Sequence, residues 1–361
     1  MRGSTALVAV VATAAIAGIV ISAAQRPPSR TPAPHPTAAP SAAPTPVPRG
    51  PISGIGFAVT DDPATAQVVL FGGVDNDDNT WIWAAGHWAL AAPVNSPPGR
   101  IDAAAAFDPA TGQVLLFGGR HAPFSGGPSL NDTWAWDGET WRELDRGTSG
   151  PPPGEGASMA WDDALDEMVL VTAAGDAAGG DQTWIWSGTH WVLEVHGAVA
   201  PSAFDLPMAF DPVTGSLIAE GCCYAPQSQL GALDTTWRWD GHRWVQLPDS
   251  AEPLPGSSLA LNPSTRRLTL CNCGPMLALP ALASWTGTAW EAMNVARLPI
   301  EPMAEVTDAT SGQLLIIGSP TPSNPYVAQP VHLWALSGSE WRQLDTTAGS
   351  AEDTSDAPRR G

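Results

Sequence analysis

The chain has 361 residues, of which 36 are acidic and 16 are basic, and it contains no lysine. Four arginines precede Gly50, so residues 51–361 carry 12 basic and 36 acidic side chains. This balance argues against binding of nucleic acid or of an anionic lipid surface by that region, because both are negatively charged. The length allows one large domain or two ordinary ones.

The amino-terminal residues 1–25 contain an apolar, uncharged stretch from Ala6 to Ala24. Its length is just sufficient to cross about 30 Å of hydrocarbon at about 1.5 Å per residue, which favours an uncleaved single-pass anchor. The small residues Ser22 to Ala24 would also suit signal-peptide cleavage, so a secreted protein is the alternative. In both cases the rest of the chain is expected outside the cytoplasm, with the membrane contacted only through this segment.

Residues 26–50 contain nine prolines and no acidic side chain. Such a segment cannot bury a core and is expected to form an extended polyproline-rich spacer. Residues 346–361 are polar and are expected to be disordered. The folded domain is therefore predicted at 51–345.

The tryptophans of this domain are concentrated in one repeated pattern, as in TWIWAAGHW and TWAWDGETW. Only Trp161, among 17 tryptophans, lies outside it. A distribution this uneven indicates structural repetition, whereas an aromatic carbohydrate platform, the alternative, would not need to recur in every copy. The residues in the pattern are Trp81, Trp83, Trp88, Trp134, Trp136, Trp141, Trp184, Trp186, Trp191, Trp237, Trp239, Trp244, Trp285, Trp290, Trp334 and Trp341.

An upstream half repeats with the tryptophans, as in AAAAFDPATGQVLLFGG. Six copies align on an acidic or amide residue spaced 46 to 54 positions apart: Asp62, Asp108, Asp162, Asp211, Asn262 and Asp308. Each copy reads as four strands, a to d, with a tight turn after the Asp and a glycine pair after strand b. A period near fifty with four strands per copy predicts an all-β, six-bladed β-propeller.

Within a copy, tryptophans at i and i+2 of strand c share one face, and the strand d tryptophan can join them. Each ring buries on the order of 150–250 Å². The indoles are therefore predicted to pack blade against blade.

The series R…AAAAFD…VLLFGG…LNDTWAWD…TWREL resembles the kelch repeat and the blades of the galactose-oxidase central domain, over about residues 52–345. The resemblance implies a β-propeller, with partners commonly bound on the face that carries the b–c loops. It implies no single function. How the ring closes cannot be read from the repeats, since the first copy begins with strand a and the last ends with strand d.

The b–c loops of blades 2, 4 and 6 are the longest, and variable loops on a rigid scaffold are where binding usually resides. His121, Phe124, Tyr224 and Tyr326 lie in these loops and are the candidate binding residues. The expected partner is a protein or a glycan. The alternative is that the loops are merely tolerated insertions.

The resemblance to galactose oxidase also implies a copper site built from tyrosine and histidine. This chain has only two tyrosines, and His87, His190 and His242 fall in c–d turns at the opposite end from them. We therefore expect no catalytic residue, no cofactor and no resident metal. An oxygen-rich run from Asp75 to Asn79 leaves calcium open, although it lacks the glycine and glutamate of a calcium loop.

Four cysteines, Cys222, Cys223, Cys271 and Cys273, end strand b in two neighbouring copies. In an exported protein they predict two disulfides, with three possible connectivities. Side-chain parity favours Cys223 paired with Cys271 or Cys273. The alternatives are free thiols and a four-thiolate metal site, which is disfavoured because the usual C-x-x-C spacing of zinc ligands is absent.

These observations favour a monomeric, non-catalytic binding module tethered at the cell envelope. The rival interpretation is an extracytoplasmic enzyme of the galactose-oxidase-like superfamily that acts on a carbohydrate or a small molecule.

Overall fold

The computed structural model describes residues 50–53, 56–74, 78–121, 127–154, 156–173, 181–196, 201, 206–221, 235–248, 258–271, 282–298, 300–308, 310–319 and 329–345. All of them belong to Val47–Gly361, the second of two units into which the chain divides. Within these ranges no helix occurs, and none is therefore long and apolar enough to cross a membrane. The predicted anchor, spacer and tail lie outside the described residues.

Six antiparallel sheets of four strands follow one another along the chain, each in the order a-b-c-d. The predicted six-bladed β-propeller is thus confirmed. In blades 1 to 3 the strands are Phe57–Asp62, Gln67–Gly72, Thr80–Ala84 and His87–Leu90; Ala104–Asp108, Gln113–Phe117, Thr133–Trp136 and Trp141–Asp145; and Ser158–Asp162, Glu167–Thr172, Gln182–Trp186 and Trp191–His196. In blades 4 to 6 they are Met208–Asp211, Ser216–Gly221, Thr235–Trp239 and Trp244–Gln246; Ser258–Asn262, Arg267–Cys271, Leu282–Trp285 and Trp290–Ala292; and Glu301–Asp308, Gln313–Ser319, His332–Ser337 and Glu340–Gln343.

The a–b turn has four residues in every blade, and the repeated Asp, which is Asn262 in blade 5, explains its uniformity. The Asp62 carboxylate accepts hydrogen bonds from the backbone amides of Ala64 and Thr65, and at 2.6 Å from the Thr65 hydroxyl. The last turn residue has positive φ in all six blades, as at Gly112 (68°) and Ala66 (61°). The Asp side chain thus accepts hydrogen bonds from turn amides that would otherwise have no partner within the turn.

The glycine pair after strand b is required by backbone geometry. Gly118 and Gly119 have φ of 63° and 86°, a region that side chains disfavour. A Cβ at Gly119 would lie 2.5 Å from the carbonyl oxygen of Ile101, in the connection that enters blade 2. The glycine pair therefore lets the chain leave the sheet and pass close to the backbone of the d–a connection that enters the same blade.

Apolar side chains from facing blades form a cluster at each of the six interfaces of the ring. The cluster between blades 6 and 1 joins Leu315, Ile317 and Leu333 to Leu70 and Trp83. Closure therefore uses the same type of packing as the other interfaces. A two-residue pairing of Ile52–Ser53 with Gln329–Pro330 adds to it.

Candidate functional site

The tryptophan pattern lies at the blade interfaces. In blades 1 to 4 the second tryptophan of strand c, and in blade 5 its single tryptophan Trp285, is paired in register with the tryptophan of strand d. Their ring centroids are 5.0 to 5.6 Å apart, as for Trp136 and Trp141 at 5.4 Å. Trp141 also meets Phe71 of blade 1 edge to face at 5.3 Å. The indoles of a blade thus pack against the preceding blade.

The threonine immediately before the first tryptophan of strand c has a role that the sequence pattern did not suggest. The Trp141 Nε1 of blade 2 donates to Thr80 Oγ1 of blade 1 at 2.9 Å. Trp191 and Thr133 repeat this bond between blades 3 and 2. The same contact joins Trp244 to Thr183 and Trp290 to Thr236. Each Thr therefore binds the next blade through a buried hydrogen bond.

Blades 5 and 6 carry leucine in place of this threonine, and the tryptophan of the next blade therefore lacks the threonine hydroxyl as an acceptor. Leu282 occupies the position in blade 5, and Trp341 Nε1 donates instead to the Ala296 carbonyl oxygen at 2.9 Å. Leu333 occupies it in blade 6, and Trp88 Nε1, although buried, has no hydrogen-bond partner among the described residues. The substitution in the sequence thus predicts where the bond is lost.

Of the candidate binding residues, only His121 lies within the described residues. It pairs with Arg100 in a two-residue ribbon, and its Nδ1 is 3.3 Å from the Gly99 carbonyl oxygen. Phe124, Tyr224 and Tyr326 lie outside the described residues, as do Asp75 to Asp77 of the oxygen-rich run. The binding-face assignment therefore stays a prediction.

The base of the blade 2 loop is held by a buried ion pair. Arg100, which is fully buried, makes two hydrogen bonds to the Asp132 carboxylate, at 2.7 and 2.9 Å. It also donates to the Gly118 carbonyl oxygen, and Trp134 Nε1 donates to Asp132. Burial opposes ionisation of Asp132, but the bonds and charge of Arg100 outweigh it and lower the pKa of the carboxyl. The pair fixes both ends of this loop.

Among the cysteines, Cys271 is fully buried at the end of strand b of blade 5 and is not a free thiol. Cys222, Cys223 and Cys273 lie outside the described residues. The pairing scheme is therefore still a prediction. Within the described part of the chain, no group of three His, Cys, Asp or Glu side chains is placed to hold a metal ion.

The six innermost strands surround a central channel of about 620 Å³. The residues immediately before the six turn-forming Asp or Asn residues line one end of it: Asp61, Phe107, Trp161, Phe210, Leu261 and Thr307. Trp161, the one tryptophan outside the repeated pattern, is thus a channel residue. The other end is lined by residues that lead into strand a, among them Gly56, Asp102 and Ala157.

Two carboxyl groups of the channel wall have raised pKa values. Burial raises the pKa of Asp61 to about 7, with further contributions from the negative charges of Asp308 and Asp62. Glu305 is only 6% exposed, and burial raises its pKa well above the usual range despite the backbone amides of Cys271 and Ala260. Neither Glu305 carboxyl oxygen, however, lies in hydrogen-bonding geometry with these amides or with any other group among the described residues.

No family model matches the chain, and no curated protein matches it either.

Proposed function

We propose that this protein is a kelch-like propeller that serves as a non-catalytic binding module outside the cytoplasm, tethered through its amino-terminal segment. The loop face is the proposed binding surface, and a protein or a glycan is the proposed partner. The paired glycines with positive φ at the end of strand b in blades 1 and 2, Gly72–Gly73 and Gly118–Gly119, support the kelch-like assignment, since they lie where the resemblance expects them.

One observation carries the choice of face: the two ends of the propeller differ in how tightly their connections are determined. The a–b turns all have four residues, and the c–d turns have two or four. The b–c connections vary from 7 residues in blade 1 to 15 in blade 2. Variation in length on a fixed scaffold is typical of binding surfaces.

At the turn end, several carboxylates are already bonded within their own turns. The Asp108, Asp211 and Asp308 carboxylates are occupied by their own turns. Asp137 and Asp240 cap the c–d turns in the same way. Recognition through these carboxylates would therefore compete with the bonds that hold the turns.

Proximity labelling of the full chain in its own cell envelope tests the proposal. The variant Phe124→Ser/Tyr224→Ser/Tyr326→Ser is expected to lose the partner that the native chain labels. A control, Arg142→Ser/Leu193→Ser, changes exposed strand d side chains on the outer rim and should retain it. Equal labelling by the native chain and the loop variant, with both folded by near-ultraviolet circular dichroism, would show that the face is wrong.

A further inference from the structure

The central channel has the dimensions of a ligand site. Its volume of about 620 Å³ falls within the range of roughly 300–1,000 Å³ found for small-molecule pockets. All six blades contribute to its wall through strand a. The wall is rigid, because every strand a is bonded along its length to strand b of its own blade.

Aromatic side chains occupy half of one layer of this wall. Phe107, Trp161 and Phe210 stand at equivalent positions in blades 2, 3 and 4. Each is only partly buried and packs against an interface cluster. The rings therefore contribute to the blade interfaces and still leave surface to the channel.

The remaining half of the layer includes a carboxyl group. Asp61 occupies the equivalent position in blade 1, and in a ring of six blades it stands opposite Phe210 of blade 4. No side chain among the described residues donates a hydrogen bond to the Asp61 carboxylate. Its charged neighbours, Asp62 and Asp308, are both acidic.

Every titratable side chain on the described channel wall is a carboxyl: Asp61, Asp102, Asp163 and Glu305. Of these, Asp102 has a basic neighbour, Arg120, at 3.9 Å, and the Glu305 oxygens are sealed from solvent. Clefts lined by charges of one sign concentrate ligands of the opposite sign. The channel is therefore suited to a cation and unsuited to an anion.

We propose that the central channel binds a small organic cation, with its ammonium group between Asp61 and the aromatic side chains of Phe107, Trp161 and Phe210. Aromatic faces attract cations, by about 0.5–1 kcal/mol at exposed sites and about 2 when desolvated. The carboxylate supplies a charge partner in the same layer. This site is separate from the binding face formed by the b–c loops, so a failure of one proposal would not affect the other.

Choline is a suitable probe, and its uncharged carbon analogue 3,3-dimethylbutan-1-ol is the matched control ligand. We expect the native full chain, by isothermal titration calorimetry at pH 8, to bind choline at least tenfold more tightly than the analogue. Asp61→Asn should weaken choline binding about tenfold. Glu139→Gln, which removes an exposed charge on a c–d turn, should leave choline binding unchanged.

The pH dependence gives a second readout. Because the pKa of Asp61 is about 7, its carboxyl is mostly ionised at pH 8 and mostly neutral at pH 6. Native binding of choline should therefore weaken as the pH falls through this range, while Asp61→Asn should show a flatter profile. Absence of choline binding, equal binding of the uncharged analogue, or unchanged binding by a folded Asp61→Asn variant would each overturn the proposal.

Discussion

At the scale of single residues, Glu305 departs most clearly from the repeat. The equivalent positions of the other blades are apolar: Val59, Ala105, Met159, Met208 and Leu259. The backbone of Glu305 is hydrogen-bonded to the neighbouring blade, since its amide donates to Ser258 Oγ of blade 5 at 2.7 Å. Its carboxyl group has no such bond, and both oxygens are buried. Burial without hydrogen bonds destabilises the charged form of this carboxyl relative to its neutral form.

Replacement of Glu305 by methionine should therefore stabilise the protein, and more so at high pH. The carboxyl has a raised pKa in the folded state and an ordinary pKa in the unfolded state, so folding takes up a proton. Native stability should fall as the pH rises above about 4.3, the usual value for an unfolded glutamate. At pH 8 we expect Glu305→Met to increase the free energy of unfolding by about 1–3 kcal/mol.

Urea unfolding of the two proteins at pH 5 and pH 8 measures this effect. Glu291→Met, on the exposed strand d of blade 5, is the matched control and should leave the pH dependence as in the native chain. A constant difference between Glu305→Met and the native protein across the two pH values would contradict the inferred neutral state of Glu305.

At the scale of strands and blades, the threonine immediately before the first tryptophan of strand c is a repeated polar link between neighbours. Thr133 is fully buried, and its hydroxyl accepts from Trp191 Nε1 at 2.9 Å. Thr133→Val keeps the shape and leaves the indole donor unpaired. It should lower the free energy of unfolding by about 1–3 kcal/mol, the cost of a buried group without its partner.

A double-mutant cycle with Trp191→Phe separates the hydrogen bond from packing. We expect a coupling energy of about 0.5–3 kcal/mol between Thr133 and Trp191. The control is the cycle of Leu333→Val with Trp88→Phe, at the interface where the indole has no partner. If the two cycles gave the same coupling energy, packing alone would explain the repeated threonine.

The strands and their order could be predicted from the sequence because each repeat carries its own local signals. The turn-forming Asp, the positive-φ glycines and the i, i+2 tryptophans each act within a single turn or strand. The Thr–Trp bonds could not be predicted, because Thr80 and Trp141 are 61 positions apart and meet only after two blades pack. A clue was nevertheless present, since threonine is absent where blades 5 and 6 carry Leu282 and Leu333.

The channel was hidden from sequence reasoning for a similar reason. Phe107, Trp161, Phe210 and Asp61 belong to four different repeats and share a layer only when the ring has closed. Trp161 stood out as the tryptophan outside the pattern, but nothing local indicated where its ring points. The candidate binding residues came from loop lengths instead, which carry no information about the channel.

At the scale of the whole molecule, ring closure determines where the chain can be cut. Each of the six sheets takes its four strands from one continuous stretch, and the first and last blades exchange none. Blade 1 meets blade 6 through an apolar cluster and the short pairing of Ile52–Ser53 with Gln329–Pro330. The interface between blade 6 and blade 1, where the chain has its two ends, therefore resembles the interfaces that a d–a connection spans.

A circular permutant should consequently fold to the same ring. New termini between the exposed residues Thr148 and Ser149 would fall between blades 2 and 3. A flexible linker from residue 345 to residue 50, of about the 12 residues that separate Asp145 from Ser158, would join the old ends. Relative to the linear 50–345 chain, we expect the Tm to change by less than about 5 °C, because the same interfaces are buried.

A second permutant, cut inside a blade, is the control for the first. Termini placed between Val169 and Leu170 would divide a fully buried strand b and expose its backbone partners, so this second permutant should fail to fold. Thermal unfolding followed by tryptophan fluorescence reports on all blade interfaces at once. If the permutant cut at 148–149 unfolded as readily as the one cut at 169–170, closure would depend on the native position of the ends, and the packing of blade 6 on blade 1 would be insufficient to hold the ring.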